Sequence, residues 1–193
     1  LHRKLASDFS SWKLKAMNKS AVASVIALLG PVTTLTAYAE IYMTDEQAAK
    51  TLFPSVASFA KSSVQLTDAD VKAIESSSSE NVRNKNLTVF KAKDGSTVFI
   101  DQALGKHEFI TYAVGIDKDG KVQGVEIIEY RESYGQQVRK PEWRKQFVGK
   151  DKTAPLKLDK DITNISGATL SSSHITGGVR RILFTYDTIK SRL

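Results

Sequence analysis

Two β-prone runs joined by an Asp-Gly turn occur twice in this chain, and that repeat restricts the fold more than any other feature. The first pair joins residues 87–92 to 96–100 through Lys93, Asp94 and Gly95. The second joins 109–116 to 121–130 through Asp117, Lys118, Asp119 and Gly120. Asp supplies a local side-chain acceptor and Gly the positive φ of a tight hairpin, so both runs predict antiparallel pairs. The Asp-x-Asp-Gly order also opens calcium loops. Here the later ligands and the distal Glu of such a loop are missing, which leaves a turn. Gly115 and Gly124, inside the second pair, predict a bulge or the close approach of something planar.

Helix signals surround these hairpins. Thr44 with Gln47 three residues on fits a capping box and opens a helix to about Phe53, ahead of Pro54. Thr67, with Asp68 and Asp70 after it and Leu66 and Val71 at staple positions, opens a second helix. That helix is expected to end near Glu75, where serines 76–79 break it. Residues 138–147 predict a short helix with Trp143 and Phe147 on one face, stopped by Gly149. Trp143 there either stacks on a ligand or packs internally. Apolar residues at 175, 179, 182, 183, 186 and 189 trace one face of a last helix, with Lys190 and Arg192 at its C-terminal end. The expected class is α+β: a curved antiparallel sheet of hairpins with packed helices, the C-terminal helix following a Ser/Thr-rich loop.

Bulk numbers narrow the chemistry. No cysteine occurs in 193 residues, which excludes disulfides, thiolate metal sites and Cys nucleophiles. His2, His107 and His174 are scattered and make no metal cluster. His174 either lies near a ligand at the loop or packs against the helix. The net charge of +7 invites nucleic acid as a partner. However, five of the 28 basic residues and one of the 21 acidic ones precede Glu40, leaving 23 against 20 beyond it. The excess belongs largely to the leader, and no nucleic-acid partner is expected. Met17 begins a short basic stretch, residues 20–39 carry no charge, and Ala37-Tyr38-Ala39 ends it. Residues 17–39 therefore read as a secretory signal peptide after an upstream extension at 1–16, placing a domain at 40–193 in the periplasm or another extracytoplasmic space. An uncleaved membrane anchor is the alternative reading of the same segment, since about 20 residues span a bilayer.

The segment 161–174 is rich in hydroxyls and runs into the last helix. Ser166, Gly167, Ala168 and Thr169 form a tight turn there, with Ser171, Ser172 and Ser173 following. A helix start has unpaired amides and a positive dipole end, so the loop reads either as an ordinary Ser/Thr cap or as a seat for a phosphate. The dinucleotide fingerprint and the P-loop are both absent.

Residues 166–172 resemble the flavinylation motif of the FMN-binding domain family, found in the C subunit of the sodium-pumping NADH:quinone reductase and the G subunit of the Rnf complex. The resemblance runs from about Gly105 to the C-terminus. Glu132, Ser133, Tyr134 and Gly135 stand in the place of the family's Glu-Thr-Pro-Gly segment, and Thr163 stands where the family usually has an acid, with Asp161 nearby. The resemblance implies FMN joined by a phosphoester to Thr169, transferred from FAD by an FAD:protein FMN transferase. It implies flavin contacts at Ser166, Gly167, Ala168, Leu170, Ser171, Ser172, Glu132, Tyr134 and Gly135. Arg131 and Arg139 are further candidates to balance a reduced flavin, and Tyr130, Tyr134 and Trp143 to stack on it. The function implied is electron transfer between redox partner proteins, or within a membrane electron-transfer complex, rather than stand-alone catalysis. Non-covalent binding of FMN or another phosphate ligand, and a reductase with its own small substrate, are the alternatives.

Overall fold

Both Asp-Gly turns close antiparallel hairpins. Gly95 and Gly120 have φ of +93° and +80°. Asp94 accepts the Ser96 amide at 2.9 Å, and one Asp117 oxygen accepts the amides of Asp119 and Lys121, each at 2.9 Å. The Asp117 carboxylate is thus spent on the turn, as expected. The structure is a computed structural model that describes residues 40–132 and 134–193; the segments expected at 1–16 and 17–39, and Ser133, lie outside the described residues. Six strands, β1 (Glu40–Ile41), β2 (Ala60–Gln65), β3 (Asn86–Lys91), β4 (Thr97–Leu104), β5 (Phe109–Ile116) and β6 (Val122–Tyr130), make one antiparallel sheet in the order β1-β6-β5-β4-β3-β2. The class is α+β.

Among the described residues four α-helices accompany the sheet: α1 (Asp45–Leu52), α2 (Asp68–Ser78), the short α3 (Pro141–Arg144) and α4 (Thr169–Ile189). Both expected capping boxes are formed, Thr44 with Gln47 and Thr67 with Asp70. No helix among the described residues is long and apolar enough to cross a membrane.

The sheet is covered on both faces. Strand residues such as Val89, Phe99, Tyr112, Val114 and Ile127 meet Ile74 of α2 and the Ile175, Val179, Ile182 and Leu183 stripe of α4. On the opposite face, Phe90, Val98, Ala113 and Ile128 meet Ala48, Ala49 and Leu52 of α1 and Phe53 at its end. Gly115 and Gly124 are direct cross-strand partners beneath this second layer, and the β5–β6 register shifts beside Gly115. A Cβ would lie 2.9 Å from the Phe53 ring at Gly115 and 2.8 Å from Leu52 at Gly124. Both expectations for these glycines hold, and the planar group is a phenylalanine of the chain itself.

Two expectations need correction, and two strands were not expected at all. The serine tract does not break α2; Ser76–Ser78 form its last turn, Ser78 is buried, and left-handed Ser79 (φ 57°) caps it by donating its amide to the Glu75 carbonyl. The helix expected over 138–147 is three pieces: a 3-10 turn at Gln136–Arg139, α3, and a second 3-10 turn at Lys145–Phe147. Pro141 drives Lys140 to an extended ψ of 126°, because proline disfavours a helical residue before it. Strands β1 and β2 carry no alternating apolar signal and were not anticipated. Of β2 only Val64 packs against the core, as suits an edge strand.

α4 closely approaches the sheet at Gly178 and the loop after α2 at Gly177. A Cβ on Gly178 would overlap the Tyr112 hydroxyl, and one on Gly177 the Glu80 carboxylate. The Tyr112 hydroxyl donates to Asp101 at 2.7 Å, and Arg181 donates to the same Asp101 oxygen. Tyr112 and Arg181 are buried, and burial together with the Asp101 charge pushes the Tyr112 phenol well above its ordinary range. Replacing Gly178 with Ala gains about 1 kcal/mol of helix propensity. Overpacking costs about 1–3 kcal/mol, and a disturbed buried pair costs about 3–5. Gly178→Ala is therefore expected to lower stability by about 2 kcal/mol or more, measured as a shift of the urea midpoint.

Candidate functional site

Three segments meet at one end of the sheet: the turn between β4 and β5, the exit from β6, and the first turn of α4. Glu132, just past β6, is buried, and one of its carboxylate oxygens accepts the amides of His107 and Glu108, the latter at 3.0 Å. Gly105 opens that turn because a Cβ there would strike the same carboxylate at 2.5 Å. His174 of α4 contacts the Leu104 carbonyl through Nδ1, holding the end of β4 to the helix. Of the two readings for His174, the structure shows packing.

The loop before α4 is built for a hydroxyl at its tip. The Ala168 amide donates to the Ile165 carbonyl at 2.9 Å, closing a turn with Gly167 at its third position. Gly167 has φ +80° and open space around it, so the glycine is required by the backbone angle. Ala168 is buried and stands at the N-cap, where it offers no side-chain acceptor. Thr169 is the first helical residue and is exposed, and its hydroxyl has no hydrogen-bond partner among the described residues. The amides of Thr169, Leu170 and Ser171 likewise have none, and the first turn holds no acidic residue. An exposed hydroxyl beside three free amides at a positive dipole end suits a phosphate ester.

Ser166, Gly167, Thr169 and Leu170 are exposed together at this tip. Ser171 and Ser172 are buried, and neither caps the helix. Ser172 instead donates back to the carbonyls of Ala168 (3.0 Å) and Thr169 (3.1 Å), and Ser171 lies 3.1 Å from the Tyr130 hydroxyl. Both serines, which the resemblance places among the flavin contacts, are thus engaged within the fold. Gly135, with φ +92°, packs where a Cβ would lie 2.5 Å from the Tyr130 oxygen and 2.8 Å from the Ser171 oxygen. Tyr134 is 78% exposed and Leu170 49% exposed, the large apolar surfaces of this end besides Phe109.

Other candidate contacts are spoken for. The Arg139 guanidinium sits 3.2 Å from the centre of the Tyr42 ring, and Arg131 pairs with Glu129 at 2.9 Å. Trp143 is buried, stands edge-on to Phe147 with ring centres 5.2 Å apart, and donates its indole N–H to the Thr163 carbonyl at 2.8 Å. The Thr163 amide donates to Gln146 at 2.8 Å, so this pair clamps the chain leading to the site. Tyr130 is buried, which leaves Tyr134 as the exposed ring among the three proposed to stack. Sequence reasoning missed the Tyr130 hydroxyl as a link between loop and helix; a buried tyrosine ending a strand, whose phenol needs a partner, is the signal that could have found it. Among the described residues no group of His, Asp and Glu is placed to hold a metal ion.

Residues 105–183 match the family model described as the FMN-binding domain. Among solved structures, the chain is similar to NqrC of the Na(+)-translocating NADH-quinone reductase from Parabacteroides distasonis. That match has 15% identity and a TM-score of 0.46, covering 67% of this chain and 77% of that one. It is also similar to NqrC from Shewanella oneidensis, with 18% identity and a TM-score of 0.46, covering 67% and 68%. A search of curated proteins returned no match.

The approach to the site depends on Asp161. Its carboxylate accepts the amides of Leu156 (3.2 Å) and Lys157 (2.9 Å) and pairs with Lys150 at 3.0 Å. Leu156 and Asp159 both hold positive φ, 44° and 58°, inside the loop it ties. Burial alone would raise the Asp161 pKa, but the Lys157 amide and the Lys150 ammonium outweigh it and hold the pKa below its ordinary 3.8. A lowered folded-state pKa means stability that is present above the unfolded value and lost as pH falls through the folded one. Asp161→Asn is expected to cost about 2 kcal/mol at neutral pH. The difference from the parent should shrink below pH 3.8 as the parent carboxylate is protonated, measured by urea titrations over a pH series.

Proposed function

We propose that this protein is an FMN-carrying electron-transfer flavoprotein whose flavin is esterified to Thr169. The observation that carries the reading is the exposed, unpartnered Thr169 hydroxyl on an uncapped helix start, inside the segment that matches the FMN-binding domain. The residues fit the group. Thr169 would supply the ester oxygen, and the amides of Thr169, Leu170 and Ser171 would be free to donate to its phosphate, with no acidic side chain in that turn to repel it. Leu170 and Tyr134 offer apolar surface beside it.

Attachment requires a flavin transferase and FAD. Thr169 would take the FMN phosphate of FAD on its side-chain oxygen, with the pyrophosphate bond broken, AMP as the leaving group and the hydroxyl proton passed to a base of the transferase. No electrons change hands in that step. Once bound, FMN supplies one- and two-electron redox chemistry, while the protein sets its access and potential. The redox partners are proteins or a quinone-linked membrane complex, supported by the family resemblance of the 105–183 segment. The uncharged run at 20–39 supports export, and a covalent link would keep the cofactor from being lost outside the cell.

Mass spectrometry of the full chain coexpressed with a flavin transferase tests the proposal. The parent is expected to gain one FMN-sized adduct that survives denaturation and is absent in Thr169→Ala. A flavin that washes off on denaturation rejects the ester, and an adduct that persists in Thr169→Ala rejects the residue.

A further inference from the structure

A helix that begins without a capping side chain frays at its first turn; a good cap shifts that local equilibrium roughly five- to tenfold. α4 begins in this way, with Ala168 at the cap, and Thr169 lies in the turn that should fray. The turn is nevertheless tied to the sheet. The Tyr130 hydroxyl donates to the Tyr134 carbonyl at 2.5 Å, so at 3.1 Å from Ser171 it is the acceptor and the serine the donor. Both side chains are buried, and Gly135 leaves no room for a Cβ between them. Burial holds the Tyr130 phenol above its ordinary pKa, so its proton stays in place across neutral pH. Strand end, exit loop and helix start therefore meet on one phenolic oxygen.

We propose that Tyr130 is a positioning residue for Thr169, its hydroxyl replacing the missing N-cap as the group that orders the first turn of α4 and presents the threonine for modification. It acts through Ser171. A conventional cap would place a side-chain oxygen on the amides of this turn. Anchoring Ser171 from below orders the same turn and leaves those amides open. The Tyr130 ring lies in the core, so Tyr130→Phe removes the oxygen without opening a cavity.

This inference rests on Thr169 being the flavinylated residue, and the experiment separates the two. The full chain and its Tyr130→Phe, Ser171→Ala and double variants are incubated with FAD and a purified flavin transferase. Covalent flavin is followed by in-gel fluorescence, and hydrogen exchange is measured on the unmodified proteins. If the parent is not modified, the Thr169 assignment fails and this inference falls with it. If it is, Tyr130→Phe is expected to lower kcat/KM for the protein acceptor about fivefold or more, with KM for FAD unchanged. Ser171→Ala should do much the same, and the double variant should be no worse than Tyr130→Phe alone, because the two act as one link. Exchange of the Ser172 amide, which donates to the Ala168 carbonyl at 2.9 Å and so reports the first turn, should accelerate by a similar factor while exchange at 179–183 stays as in the parent. A parent that is modified and a Tyr130→Phe variant modified within about 1.5-fold of it would overturn the proposal. So would exchange accelerated along all of α4, which marks general loss of stability.

Discussion

The buried contact of Arg181 with Asp101 and Tyr112 sets where α4 can sit, and the other features of the domain follow from that placement. Its worth is positional. Removing two charges from water costs about as much as their attraction returns, so such a pair adds little net stability. Leaving one charge without its partner is what carries the penalty. A helix displaced by one turn, about 5.4 Å, would strand Arg181 among apolar side chains. Only one register of α4 on the sheet satisfies it, and the bare backbone of Gly178 lets the helix come close enough for Arg181 and Tyr112 to share one Asp101 oxygen. Arg180 adds a second fix, donating to the Ser78 carbonyl at 2.8 Å and the Leu156 carbonyl at 2.9 Å and pairing with Glu80. Neighbouring arginines thus tie α4 both to the sheet and to the elements flanking it.

That register is transmitted along a 21-residue helix toward its first turn. Thr169 lies at the end of an element whose position is decided two turns and more away. The loop before it is held from the other side by Trp143 and Gln146 at Thr163 and by Asp161. The exposed tip is small and the apparatus that fixes it is large. Such an arrangement suits a group that must stand at the surface and still point one way.

What the sequence disclosed divides along physical lines. The hairpins, both capping boxes and the α4 stripe were legible because each is written in local chemistry: Asp-Gly at a turn, Thr with Gln or Asp three residues on, apolar residues at helical spacing. Thr169 was singled out because its segment resembles a known motif, and it stands exposed as the first residue of α4. The division of labour among Ser171, Glu132 and Trp143 was not legible, because it depends on partners 20 to 41 positions away. The Arg181 cluster joins residues 80 apart and left no trace in any local window. Pro141 stands inside the run read as one helix from the Trp143–Phe147 spacing, and a proline's demand on the residue before it is the stronger constraint.

Strand β2 ends the sheet, and among the described residues it is paired on one side only. An exposed row of backbone donors and acceptors is a template on which a second molecule can lay a strand. Lys61 stands on that row, 5.2 Å from the centre of the Phe90 ring and 2.9 Å from Glu46 of α1. An incoming strand would have to dehydrate its ammonium group or break it away from both partners. The one lysine of this strand thereby raises the cost of adding a strand at an edge that its backbone alone would leave adhesive.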